Sequence, residues 1–230
     1  MMRLGGFSIG VLAAVLWMAT ATASGQVVVD RTIATVSDGA RTELITRSDL
    51  LWQLALQPGA PLNPPREEDL RQALQTQINQ RIFALEAQRL PRAAPTDKEI
   101  ADKIADILKF FPSTAEFESR LKTVGFSSVK DDNFENIIGQ RVAIEKYLDF
   151  RFRSFVVVTA DDEAAYYRDK WVPEFRRTNP SAIVPSLDEA RTRVNTDVVE
   201  ERVAANIETF IEEAKRRVQI VIIAEPTGTA

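Results

Sequence analysis

Asp161, Asp162 and Glu163 form a run of carboxylates of the kind that metal binding or glycosidic chemistry uses. They stand directly after Thr159, a helix-capping type, where acidic residues favour the positive end of the helix dipole. Consecutive residues also point in different directions around a helix, so the three do not converge on one ligand. The reading is a helix start. FRFRSF, from Phe150 to Phe155, mixes cations with rings in the manner of a nucleic-acid contact. Arginine near the end of a helix explains it more simply. The aromatics Phe110, Phe111, Trp171 and Phe175 sit at helix ends or in connections. They either pack under those connections or line an exposed apolar cradle for unfolded chains, since contiguous exposed apolar surface marks a binding site.

Residue types that are missing narrow the chemistry further. The chain has no histidine, so the side chain most used for proton transfer near neutral pH is absent. Ser-His and Cys-His nucleophile pairs and the common zinc sites go with it. Carboxylate-only chemistry remains open. No catalytic, cofactor-binding or metal-binding residue is assigned, and the chain is expected not to be an enzyme. With 29 Lys and Arg against 33 Asp and Glu, the formal net charge is −4, which gives no footprint for nucleic acid.

The start of the chain has the layout of a secretory signal peptide. Arg3 is followed by the uncharged GFSIGVLAAVLWMA and then by ATATAS, with cleavage expected near Ala21 or Ala23. The apolar run is shorter than the ~20 residues that span a bilayer, and an uncleaved membrane anchor is the competing reading. No cysteine follows it, so a lipoprotein anchor is excluded. An exported chain without cysteine has no disulfides and must be held by packing. Roughly 205 mature residues suit one domain, or one domain with an appendage.

The elements that must position these residues are mostly helices. VVVDRTIATVSDGARTELITRSDL, residues 27–50, reads as an apolar strand, a turn at Asp38-Gly39, a second strand and a helix start. Thr46 caps the first helix. Pro65 is expected in the first turn of the next, where Leu70, Leu74, Ile78, Ile82 and Leu85 make one apolar face over about 25 residues. Thr96–Glu99, Ser113–Glu116 and Ser186–Glu189 have capping-box spacing. Phe134, Ile137, Ile138, Ile144 and Leu148 mark another helix, starting between Ser128 and Asp132. SFVVVT is expected to be a short extended crossing, and Pro173 to open an irregular loop. Val199, Val203, Ile207, Phe210 and Ala214 form the inner stripe of the last helix, about 45 Å long. It ends in VQIVII, whose β-branched residues favour a strand. A hairpin alone is marginal in water, so VQIVII is expected to supply its third strand. The tail AEPTGTA is expected to be disordered.

Taken in order, these segments resemble the SurA-like periplasmic chaperones. IATV-x-x-G followed by IT-x-SDL is similar to that family's start. QTQINQRIFALEAQRL, TDKEIADKIADI with FESRLKTVGF behind it, VTADDEAAYYRDKW, and the closing RRVQIVII each resemble a successive element of its core. The resemblance spans nearly the whole mature chain, each motif being loose and the order specific. It departs in one respect. The family inserts one or two parvulin-type prolyl isomerase domains before the returning helix, and the interval from Val172 to Pro185 is too short for one. Parvulin sites also use histidines. The resemblance therefore implies a chaperone core without its isomerase, and transfers no catalytic residue.

The expected fold is mainly α, a SurA-like helical core with a small sheet made by the N-terminal hairpin and the C-terminal strand. The expected organisation is a signal peptide at 1–23, the first part of the core at 24–175 and a short linker at 176–185. A long helix and strand at 186–223 return to the core, before a tail at 224–230. The expected function is an ATP-independent holdase for unfolded envelope or outer-membrane proteins. Phe110, Phe111, Trp171 and Phe175 are the candidate client contacts, no cofactor is needed, and nucleic acid is not a partner. A structural or adaptor subunit of an envelope complex is the alternative, and a prolyl isomerase with an unfamiliar site is a weaker one.

Overall fold

Asp38 and Gly39 turn the chain back on itself in the hairpin. The Asp38 carboxylate accepts from the backbone N–H groups of Ala40 and Arg41 at 3.0 and 2.9 Å. Gly39 takes a φ of 88°, in the left-handed region where a side chain would be strained. The flanking strands are β1 (Thr32–Ser37) and β2 (Thr42–Thr46). In this computed structural model, which describes residues 30–89 and 94–227, a third strand completes the sheet. It is β3 (Gln219–Ile222), and the strand order is β2-β1-β3, all antiparallel. Val36 pairs with Ile220 and Ser37 with Gln219, so the first and last parts of the described chain close on each other as the sequence implies. The signal segment and Val27–Val29 lie outside the described residues. The tail does more than expected as far as Thr227. The Ala224 N–H donates to the Ile33 carbonyl, and Arg47 donates to the Thr227 carbonyl at 2.5 Å.

Helices cover one face of this sheet. Thr46 opens α1 (Arg47–Ala55) through a reciprocal box with Asp49, and Asp49 also pairs with Arg81 of α2 (Glu67–Ala87) at 3.0 Å. The predicted stripe Leu70, Leu74, Ile78, Ile82 and Leu85 is buried throughout. It joins Ile33, Ala34, Val36 and Ile45 of the sheet, and Phe210, Ile211 and Ala214 of α8 (Leu187–Lys215), in one core. Pro65 falls two residues before Glu67 rather than inside the first turn, and Arg66 is the N-cap residue. A second core lies between α3 (Asp97–Leu108), α4 (Thr114–Thr123) and α5 (Asp132–Phe152). Phe111, Phe117, Phe126 and Phe134 meet there with ring centroids 4.7 to 5.9 Å apart. Trp52 of α1 packs on Phe126 and donates from Nε1 to the Val124 carbonyl at 3.0 Å, tying the two cores together.

Beyond α5 the chain forms an arm. SFVVVT is helical in its first part, a 3₁₀ turn at Arg153–Phe155, and extended only at Val156 to Thr159. Thr159 then caps α6 (Ala160–Tyr166), which runs through a π-helical stretch at Tyr167–Trp171 into α7 (Val172–Thr178). The helix therefore passes the proline that was expected to end it. Pro173 offers no N–H to the turn before it, and the wider π hydrogen-bonding immediately upstream absorbs the ring and the missing donor. The N-terminal half of α8 lies along this arm. Ala190, Val194 and Val198 are its buried residues there, packed against Val158, Tyr166, Tyr167 and Trp171. The buried stripe thus runs through Ala190, Val194 and Val198, with Val199 half-buried instead of innermost, because this half of α8 faces the arm and the other half faces the sheet.

Capping also sets an acid sensitivity. The Glu99 carboxylate accepts from Lys146 Nζ at 2.7 Å and from the backbone N–H of Thr96 at 2.7 Å, which hold its pKa down to about 2. Asp162 is likewise held at about 2, by the Thr159 backbone and hydroxyl first and by Arg202 after them. Both folded values lie below the unfolded ones of roughly 4.3 and 3.9, so their stabilisation is complete above that range and is lost as pH falls towards 2. Thermal melts should therefore drop over that window. Melts of the double variant E99Q/D162N should start lower at neutral pH and fall less steeply in acid. Parallel curves for the two proteins would remove these caps as the cause.

Candidate functional site

The carboxylates of residues 161–163 are structural. Asp162 completes the Thr159 capping box and pairs with Arg202 of α8 at 2.5 Å. Glu163 is buried and accepts from Arg191 at 2.6 Å and from Asn195 at 2.8 Å, clamping α6 to α8. Asp161 is exposed. Among the described residues, no group of three or more acidic, histidine or cysteine side chains is placed to hold a metal ion. Nor is any described helix long and apolar enough to cross a membrane.

The four candidate aromatics separate into three environments. Phe111 is 7% exposed with its ring on Phe117, and takes the packing role of the two the sequence left open. Phe110, its neighbour, is 73% exposed at the end of α3. Trp171 and Phe175 are half-buried and belong to a ladder on the arm. The Tyr167 and Trp171 rings stack at 5.5 Å, and Trp171 and Phe175 at 5.0 Å, each pair 18° from parallel. Tyr167 closes the loop beyond α7 by donating to the Pro185 carbonyl at 2.5 Å. The ladder borders a hollow of about 430 Å³ between α7 and α8, with Arg193 and Asp197 opposite the rings. The structure does not bring Phe110 into that hollow.

Phe110 lines a different cleft, of about 310 Å³, between α1, α2, α3 and α5. Leu56, Ile107 and Ile144 make its apolar walls, and Arg141 enters it from α5. A further cleft of about 340 Å³ separates α5 from α8, lined in part by Leu148, Val203 and Ile207. Glu145 borders both, so the two clefts adjoin along α5. At the root of the arm, Phe150 and Phe155 meet edge to face at 6.3 Å, and Phe155 and Val157 are 72% and 74% exposed. FRFRSF thus divides by residue. Phe152 enters the core against Phe210, and Arg153 forks onto Glu200 of α8 at 2.6 and 2.9 Å. Phe150 and Phe155 stay outside. Their exposure carries no pattern in the sequence, because apolar runs ordinarily signal burial.

No protein-family model matches the chain, and no curated protein matches it. What the site does has to follow from its own geometry. Two adjoining clefts with walls of apolar and charged side chains, and uncovered large side chains at the arm's root, suit an extended chain with apolar stretches better than a small polar substrate.

Proposed function

We propose that the protein is an ATP-independent holdase for unfolded exported polypeptides, a SurA-like chaperone core without an isomerase domain, working in the periplasm. The observation that carries this reading is the apolar surface left uncovered at Phe110, which lines one cleft of α5, and at Phe150, Phe155 and Val157, where α5 ends. Large side chains exposed at 52–74% are costly to leave in water unless something covers them part of the time. Reversible covering by an apolar stretch of client lowers the free concentration of the aggregating species by mass action, with no need for nucleotide or cofactor. The tied arm is consistent with this role, since Glu163, Asp162, Lys170 and Arg153 fix it to α8.

Light scattering tests the reading. Equimolar protein should suppress aggregation of an unfolded outer-membrane protein diluted from urea, and the variant F110S/F155S/V157S should lose most of that effect while keeping its melting temperature. Unchanged scattering across several clients would favour the second reading, a structural or adaptor subunit. That reading has an observation of its own. Leu44 and Val221 flank Thr35 on the outer face of the sheet and are 52% and 42% exposed, with Ile223 nearby at 57%. Such a flat patch suits one fixed, folded partner.

A further inference from the structure

Arg141 makes no ion pair among the described residues. Its Nε is shut off from solvent and has no hydrogen-bond partner. Nη2 donates to the neutral Gln53 side chain at 2.5 Å, and among the described residues no carboxylate lies within ion-pair distance of it. Burial pulls its pKa down to about 10, so it still carries its charge at neutral pH. Glu145, whose charge reaches Arg141 through space, is ion-paired with Lys103 at 2.5 Å. The Arg141–Lys103–Glu145 group therefore carries one unbalanced positive charge at the cleft. A half-buried guanidinium with one N–H shut off from water is costly to keep without an ion-pair partner, and the fold has placed it at the wall of an open cleft.

We propose that the cleft of Arg141 is a binding site for a single carboxylate carried on an apolar body. The guanidinium supports the carboxylate, and Leu56, Ile107 and Ile144 among the mixed walls support the apolar body. With Nε shut off from solvent, the Nη1–Nη2 edge is the one a ligand in the cleft would meet, and such an edge matches the two oxygens of a carboxylate, a geometry that a point cation does not offer. One net charge is balanced by a monoanion, whereas a phosphate dianion would leave surplus charge against Leu56, Ile107 and Ile144. The cleft holds about 310 Å³, room for about ten groups of water size at ~30 Å³ each. Octanoate has that size, and so does a C-terminal leucine residue. The site does not depend on the client-binding reading, because a protein that holds no unfolded chain can still bind octanoate.

Calorimetry on the full chain at neutral pH decides it, with four probes. They are octanoate, octanamide, a capped pentapeptide ending in leucine with a free carboxylate, and the same peptide as its amide. At least one carboxylate should bind, about tenfold or more tighter than its amide, and R141Q should weaken it by at least the same factor. Octanoate binding alone identifies a free carboxylic acid as the source; binding of the peptide acid alone identifies a chain end. R141Q removes an uncompensated charge and should stay folded. If it does not, I107W fills the cleft without touching the guanidinium and should abolish binding. The proposal is overturned if acids and amides bind alike, if none of them binds at about 5 mM, or if a folded R141Q or I107W variant keeps full affinity.

Discussion

Deleting residues 218–230 should expose β1 to hydrogen exchange at the other end of the chain and lower the stability of the whole body. β1 is the central strand, and β3 is one of its two neighbours, paired from Ser37–Gln219 to Ala34–Ile222. Without β3 the sheet is a hairpin, which is marginal in water. The Ile33 carbonyl also loses the N–H groups of Ile223 and Ala224. Val218, Ile220 and Ala224 leave the core that holds Phe210 and Ile211. Several hydrogen bonds at ~1 kcal/mol each, together with the apolar contacts, take a large share of a stability of ~5–15 kcal/mol. Point variants should divide unequally. Ile220→Ala should cost about 1–3 kcal/mol, and Ile222→Ala under about 1, since Ile222 is 48% exposed at the sheet edge. That is less than two buried isoleucines would give. Exchange at residues 34–37 that stays as slow in the truncated chain as in the full one would show that β1 is held by the helices alone.

The fold was legible where local chemistry decides it. Thr46 with Asp49, Thr96 with Glu99 and Ser186 with Glu189 all form reciprocal boxes, because the spacing alone brings both partners together. Ser113 accepts from the Glu116 N–H, but the Glu116 side chain does not return the bond, so this box is half made. The chain closure was legible too, from a hairpin that lacked a third strand. What escaped was anything that depended on a neighbour. Pro173 reads as a helix end in one dimension, and only the π-helical turn before it lets the arm continue. Val198 and Val199 are equivalent in composition, and the side of α8 that the arm covers chooses between them.

The candidate site was less legible, and for a related reason. Trp171 and Phe175 were picked out as aromatics at a connection, and prove to be steps of a stacked ladder on a helix. Phe110 and Phe111 are adjacent and alike, yet one is exposed and the other is core. Arg141 was missed although the sequence does signal it. Phe134, Ile137, Arg141, Ile144 and Leu148 follow the 3-4-3-4 spacing of an apolar seam, and a charge in such a seam points to burial. The apolar residues of the helix were read as a stripe, and the one position that broke the stripe was passed over.

The largest effect of any single side chain is expected at Arg120. It reaches from α4 to the end of α1 and donates to four carbonyls, those of Ala55 at 3.1 Å, Leu54 and Gln57 at 2.9 Å and Ala60 at 2.8 Å. No basic residue stands in the last turn of α1, so Arg120 supplies from outside both the charge and the donors that a helix C-terminus lacks. Ala55 and Ala60 are buried, so water cannot take over all of these bonds. Charged hydrogen bonds contribute ~1.5–3 kcal/mol each and do not add fully, so Arg120→Ala should cost about 3–5 kcal/mol. Arg120→Lys should restore less than about half of that, because an ammonium is a point donor and cannot span the four oxygens. Arg120→Met keeps the apolar stem and should resemble Ala more than Lys, which separates bonding from packing. Urea melts of the three variants read these differences directly, and Trp52 fluorescence follows the same junction, since its indole is bonded to Val124 at the end of α4. A loss under about 1 kcal/mol for Arg120→Ala would mean that the α1 terminus finds other donors, and that packing alone joins the two cores.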